Sequence, residues 1–183
     1  MVLLDSCIRR NDGYSFGMMN KGFTERQFFL FMAVVCLLLL GFGYFLQFVR
    51  GLDPCPLCIL QRVAYLGVGA VCLAGFIHGS ASRIYSALAL LCALAGAAVA
   101  ARQVWLQHLP PDLVPECGPG LDFIMQAFPL LDALKLIFTG SGECAETVWT
   151  FLSLSIAEWS LFWFAAFSVL LLYHSLNVIP AQE

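Results

Sequence analysis

Charge is what this chain most lacks. It carries nine Lys and Arg and twelve Asp and Glu among 183 residues, 11% in all, where soluble domains carry about 25%. Apolar residues make up 61% of the sequence, more than a soluble protein of this length could hide from water. An integral membrane protein is expected, and the length suits a single domain. The few cations form no basic patch, which excludes nucleic acid as a partner. Histidine is scarce too, with three residues. His78 and His174 fall at the inner membrane surface, leaving His108 alone beside the outer cysteines, so no metal site is expected. Cysteine is not scarce: there are eight, and each has to be placed before it is interpreted.

The apolar residues gather into four runs, 28–49, 59–78, 84–106 and 158–177. Each is long enough to cross roughly 30 Å of hydrocarbon as a helix. The first is an anchor rather than a cleaved signal peptide. It exceeds the about 7–15 apolar residues of such peptides and continues into Gln47, Arg50 and Asp53. Residues 1–27 are polar and mixed, with Arg9, Arg10, Lys21 and Arg26, and the positive-inside rule makes them a cytoplasmic extension. No periodicity marks residues 1–17, so the extension is expected to be disordered, and Met18 and Met19 are alternative starts to Met1. With four spans, segments 50–58 and 107–157 share the outer face and the tail 179–183 returns to the inner one. The long loop has Lys135 as its only cation, as an outer loop should. Trp159, Trp163 and Tyr173 sit near the ends of the fourth span as an aromatic belt does.

Leu121 to Thr139 tempts a fifth span. It contains Asp122, Gln126, Pro129, Asp132 and Lys135, and a charge at the bilayer centre costs about 2.5–3.5 kcal/mol. Ile124, Phe128, Leu131, Leu134 and Phe138 recur at helical spacing, so a short amphipathic helix on the membrane surface is the better reading. The expected fold is an all-α, four-helix membrane domain over 28–178, with a long outer loop carrying that surface helix.

Cys55-Pro56-Leu57-Cys58 stands where the second span begins. A C-x-x-C pair is a redox or metal device. Pro54 and Pro56 suit a helix start, which puts Cys58 in the first turn, where the helix dipole favours a thiolate. Arg62 follows one turn deeper on the same face. A guanidinium at that depth is a functional candidate by default, although it could also snorkel to the headgroups. Its partners would be the Cys58 thiolate and the carbonyl oxygen of a bound acceptor. Cys117 and Cys144 lie in turn-rich polar surroundings of the long loop. A disulfide there would serve as a staple worth roughly 3–4 kcal/mol, or would exchange with the C-x-x-C pair on the same face. Four outer cysteines allow three pairings. Cys36, Cys72 and Cys92, inside spans, read as small hydrophobes, and Cys7 as a free cytoplasmic thiol.

In order, Pro54-Cys55-Pro56-Leu57-Cys58 with Arg62, Arg102-Gln103-Val104-Trp105-Leu106, Cys117-Gly118-Pro119, Gly140 to Glu146 with Cys144, Trp149, Phe151-Leu152 and Trp159 resemble the bacterial disulfide bond formation protein DsbB family over roughly residues 25–178. The resemblance implies a protein-disulfide:quinone oxidoreductase of the inner membrane. It implies redox-active disulfides Cys55–Cys58 and Cys117–Cys144. A reduced, thioredoxin-like periplasmic partner of the DsbA type would attack through Cys117, Cys144 would exchange with Cys55, and Cys58 would pass electrons to a quinone held near Arg62. Ubiquinone and menaquinone present similar carbonyls, and the quinol would be reoxidised by the respiratory chain. That a DsbA–DsbB–quinone relay keeps the bacterial periplasm oxidising is an established property of the pathway. Two positions depart from familiar members: Gln61 stands where a glutamate can occur, and His108 is only loosely aligned with a quinone-adjacent histidine. Competing readings are a vitamin K epoxide reductase-like quinone-linked enzyme, whose C-x-x-C usually falls late in the bundle, and a non-catalytic scaffold whose disulfides fix loop shape.

Overall fold

The computed structural model describes residues 3–110, 112–114, 129, 132, 142–147 and 149–177, with side chains from Glu25 onward. Its long helices are α1 (Leu3–Arg50), α2 (Pro56–His78), α3 (Ser82–Gln107) and α4 (Ile156–Asn177). Four stretches, Glu25–Arg50, Pro56–His78, Ser82–Gln107 and Ile156–Leu176, are long and apolar enough to cross a membrane. The chain is a four-helix membrane bundle. Each span begins two or three residues before the apolar run that announces it. Cys117 and the expected surface helix at 121–139 lie outside the described residues, apart from Pro129 and Asp132.

One expectation is corrected. Residues 3–27 are not without structure: helix α1 begins at Leu3 and runs unbroken into the span. The chain has no proline before Pro54, and a helix already nucleated in the membrane extends at little further cost.

Packing follows chain order, α1 on α2, α2 on α3 and α3 on α4. The α3 face toward its neighbours is a row of small residues, Ser86, Ala89, Ala93, Gly96 and Ala100, all buried. In lipid, where apolar side chains gain little by leaving the surroundings, such a row lets helices approach closely. Phe164 of α4 uses that approach, since a Cβ on Gly96 would lie 2.4 Å from its ring. Phe164 also stacks on Tyr65 of α2 at 4.1 Å between centroids. Leu37, Leu38, Phe48, Val169 and Leu176 stay exposed and form the lipid-facing surface.

The turn between α2 and α3 is short. Gly79, at φ 64°, closes α2 with its N–H on the Gly75 carbonyl at 3.1 Å, the left-handed cap for which glycine is suited. At the other end of the bundle a hairpin precedes α4. Strand β1 (Thr150–Phe151) pairs antiparallel with β2 (Leu154–Ser155). The two residues between, Leu152 and Ser153, both have positive φ, 53° and 67°. Ser155 then caps α4: its Oγ accepts from Glu158 N at 3.2 Å, and Glu158 Oε2 accepts from Ser155 N at 2.6 Å. This is a reciprocal capping box. Ser155 Oγ also donates to Gln107 Oε1 at 2.8 Å, tying the start of α4 to the end of α3.

Candidate active site

The first turn of α2 builds the site. Cys55 is extended at ψ 163° and precedes Pro56, so it is the N-cap, and its sulfur accepts from Cys58 N at 3.4 Å. This geometry brings the two sulfurs together at 2.9 Å, a small adjustment from a disulfide bond of about 2.05 Å. The sequence expectation of Cys58 in the first helical turn therefore holds.

Cys144 reaches the same place from 86 positions further along the chain than Cys58. A 3-10 turn, Gly142–Cys144, buries it completely against Leu57, Val99 and Leu106, with Cys55 and Leu60 packed alongside. Cys55 and Cys144 share a hydrogen bond. That bond, a second one with Cys58, and burial together push the Cys55 thiol far above its ordinary range.

Two glutamines to which the sequence assigned no role complete the surroundings. Gln103 of α3 donates from Nε2 to the Cys55 sulfur at 3.4 Å and to the Cys58 sulfur at 3.3 Å. Its Oε1 accepts from Gln61 Nε2 of α2 at 2.7 Å. Both are buried, at 4% and 3% exposure. A polar side chain within a span needs a partner on a neighbouring helix, and that rule is the signal that would have marked them.

Arg62 is half-buried and turns toward α1. It donates to Gln47 Oε1 and, at 3.1 Å, to the Gly43 carbonyl, with its guanidinium 4.8 Å from the centre of the Tyr44 ring. These contacts hold it against α1. His108 is placed elsewhere. Its Nδ1 bonds the Val104 carbonyl at 2.8 Å, its Nε2 is 3.9 Å from Glu158, and it does not line the cavity beside the cysteines. The structure brings together Cys55, Cys58, Cys144 and Arg62, and leaves His108 at the end of α3. Among the described residues no group of His, Cys, Asp or Glu is arranged to hold a metal.

These residues open onto a cavity of about 540 Å³ lined by Cys55, Cys58, Arg62, Tyr65, Gln103 and Trp159, by apolar side chains of α1 and α4, and by loop residues that include Asp53, Glu143 and Glu146. That volume suits a small organic molecule. Its apolar walls suit a planar ring, and among its polar groups the Arg62 guanidinium suits an oxygen acceptor on that ring.

Comparison with known proteins finds relatives over most of the chain. The family model described as Disulfide bond formation protein DsbB matches residues 25–174. A relative from Azoarcus sp., named Disulfide bond formation protein B, is 48% identical over 153 residues, covering 82% of this chain and 92% of that protein. Disulfide bond formation protein B 1 of Pseudomonas aeruginosa is 46% identical over 147 residues, covering 79% and 90%. The Hahella chejuensis protein, named Disulfide bond formation protein B, is 46% identical over 144 residues, covering 77% and 86%.

Proposed function

This chain belongs to the DsbB family of disulfide bond formation proteins, and on that premise we propose that it reoxidises a thioredoxin-like, DsbA-type dithiol oxidase and delivers the electrons to membrane quinone. It then lies in the bacterial inner membrane with both termini in the cytoplasm and its reactive cysteines facing the periplasm. The observation that carries the reading is the run of sulfurs from Cys144 through Cys55 to Cys58, ending at a mostly apolar cavity beside Arg62.

Exchange along that run balances at every step. A thiolate of the reduced partner attacks Cys117 of a Cys117–Cys144 disulfide. That S–S bond breaks, and the electron pair leaves on Cys144. Cys144 attacks Cys55 and breaks Cys55–Cys58, and the electron pair moves to Cys58. The partner's second thiol closes its own disulfide and expels Cys117, which recloses on Cys144 and releases Cys55. Two electrons now rest on Cys55 and Cys58 at the cavity. A bound quinone supplies an acceptor for two electrons and two protons, so the pair can return to the disulfide. Such a sink is needed because DsbA is itself strongly oxidising, near −120 mV.

The cavity fits that group. Trp159 and Tyr65 offer ring faces, and Arg62 offers N–H donors to a carbonyl oxygen within the same lining.

The test is direct. The purified chain, returned to lipid with quinone, should oxidise a reduced thioredoxin-like partner with loss of quinone absorbance in step. A scaffold with structural disulfides would leave both the partner and the quinone unchanged.

A further inference from the structure

Gln103 offers the redox pair an unusual neighbour, a group that cannot change charge. Its amide has two N–H donors, and both are used on sulfur, at 3.4 Å to Cys55 and 3.3 Å to Cys58. Its oxygen accepts from Gln61 at 2.7 Å and lies 3.6 Å from the Cys58 sulfur. The amide can therefore accept a hydrogen bond from the Cys58 thiol or donate one to its thiolate without gaining or losing a proton itself. The other strong donor lining this cavity, Arg62, has its hydrogen bonds directed to Gln47 and Gly43 of α1.

Orientation decides what Gln103 can do. With its oxygen turned toward the sulfurs the amide would repel a developing negative charge, and with its nitrogen there it attracts one. Gln61 Nε2, donating to Gln103 Oε1 at 2.7 Å, goes with the second arrangement. Gln61 is three residues after Cys58 on α2, so it shares that face of the helix and reaches across to α3 from beside the sulfur. A lone buried primary amide would be costly in a span, whereas each of these two satisfies the other.

We infer that Gln103 acts as a catalytic donor to the leaving sulfur of Cys58, and that Gln61 is a positioning residue that holds the Gln103 amide with its N–H groups toward the cysteines. The inference rests on the electron path proposed above. In the step that matters, the Cys144 thiolate forms a bond with Cys55, the Cys55–Cys58 bond breaks, and the electron pair goes to Cys58. One thiolate enters and one leaves, and the Gln103 N–H groups receive the charge where it arrives.

The experiment uses the full chain in lipid nanodiscs and the variants Gln103→Met and Gln61→Met, which keep side-chain length and remove the amide. The first readout is the rate at which iodoacetamide alkylates Cys58 in the reduced protein at neutral pH, followed by mass spectrometry of its peptide. Losing hydrogen bonds to a charged sulfur should slow alkylation about tenfold in Gln103→Met and by a smaller factor in Gln61→Met. The second readout is turnover with a reduced thioredoxin-like partner and quinone. There kcat should fall while the KM for the partner stays within twofold. In the double variant the Gln61 effect should disappear, because there is no amide left to orient.

Wild-type alkylation rates in Gln103→Met would overturn the donor role. Additive losses in the double variant would overturn the positioning role of Gln61. If Gln103→Met does not fold, alkylation in Gln61→Met decides: a slowed rate supports the pair and a wild-type rate overturns it. Alkylation requires neither partner nor quinone, so a wild-type chain without turnover would fail the parent reading and leave the amide result standing on its own.

Discussion

Among the described side chains the cysteines form two sets in contrasting surroundings. Cys55, Cys58 and Cys144 meet at one end of the bundle, where sulfur bonds sulfur and Gln103 bonds two of the three. Cys36 and Cys72 are fully buried in the central core with Phe29, Met32, Val68 and Phe164, and Cys92 packs against the same cluster. The first set has donors, a helix N-terminus and an open cavity, and the second has close packing. Cysteine behaves as a reagent or as a small hydrophobe according to what surrounds it.

The contrast can be broken most severely at Cys58. Replacing it with serine should abolish quinone reduction, measured as the change in quinone absorbance, and unchanged turnover would remove it from the path. Next in size is Cys144→Ala, which should halt transfer, because Cys117 is left without the disulfide that a partner thiolate attacks, and the partner's thiols should stay free to alkylation. Continued oxidation of the partner would count against the order of exchange. Arg62→Ala should act more selectively, raising the KM for quinone about tenfold through loss of a charged hydrogen bond. An unaltered KM would confine Arg62 to bridging α1 and α2.

The smallest effect on activity belongs to the other set. Cys72→Ala should leave turnover within twofold and lower stability by about 1 kcal/mol through the small cavity it leaves. Thermal unfolding in detergent would measure this. A large loss of turnover in a fully folded Cys72→Ala protein would erase the distinction between the two sets.

Much of this is legible from the chain alone. Apolar run length yields the four spans, and Pro54-Cys55-Pro56 yields the helix start that seats Cys58. The family resemblance supplies the link from Cys144 to Cys55, two residues that the fold then places in contact. What escapes is whatever depends on which helix lies beside which. Gln61 and Gln103 are visible as polar residues in apolar runs, but their bond needs α2 against α3, and no residue of either helix names the other. His108 shows the converse: closeness in sequence to a functional stretch suggests a place near the site, while its actual bonds, to Val104 and Glu158, hold it outside. Ser155 and Glu158 have the spacing of a capping box, which is hidden because the apolar run begins only at 158. The helix from Leu3 is hidden because periodicity looks for a buried face, and a helix can extend from an anchored span without one.

The reversal at Leu152 and Ser153 has a bearing on how far Cys144 can travel. Residues with side chains resist positive φ, at a cost of roughly 1–2 kcal/mol each, yet the hairpin is secured by Trp159 Nε1 on the Phe151 carbonyl at 3.0 Å and by the cap at Ser155. Cys144 is six residues from Thr150, a tether that spans at most about 20 Å when fully drawn out. The Cys144 backbone therefore stays within about that distance of Thr150. The hand-off is a short swing on a leash, set by chain length rather than by chance encounter.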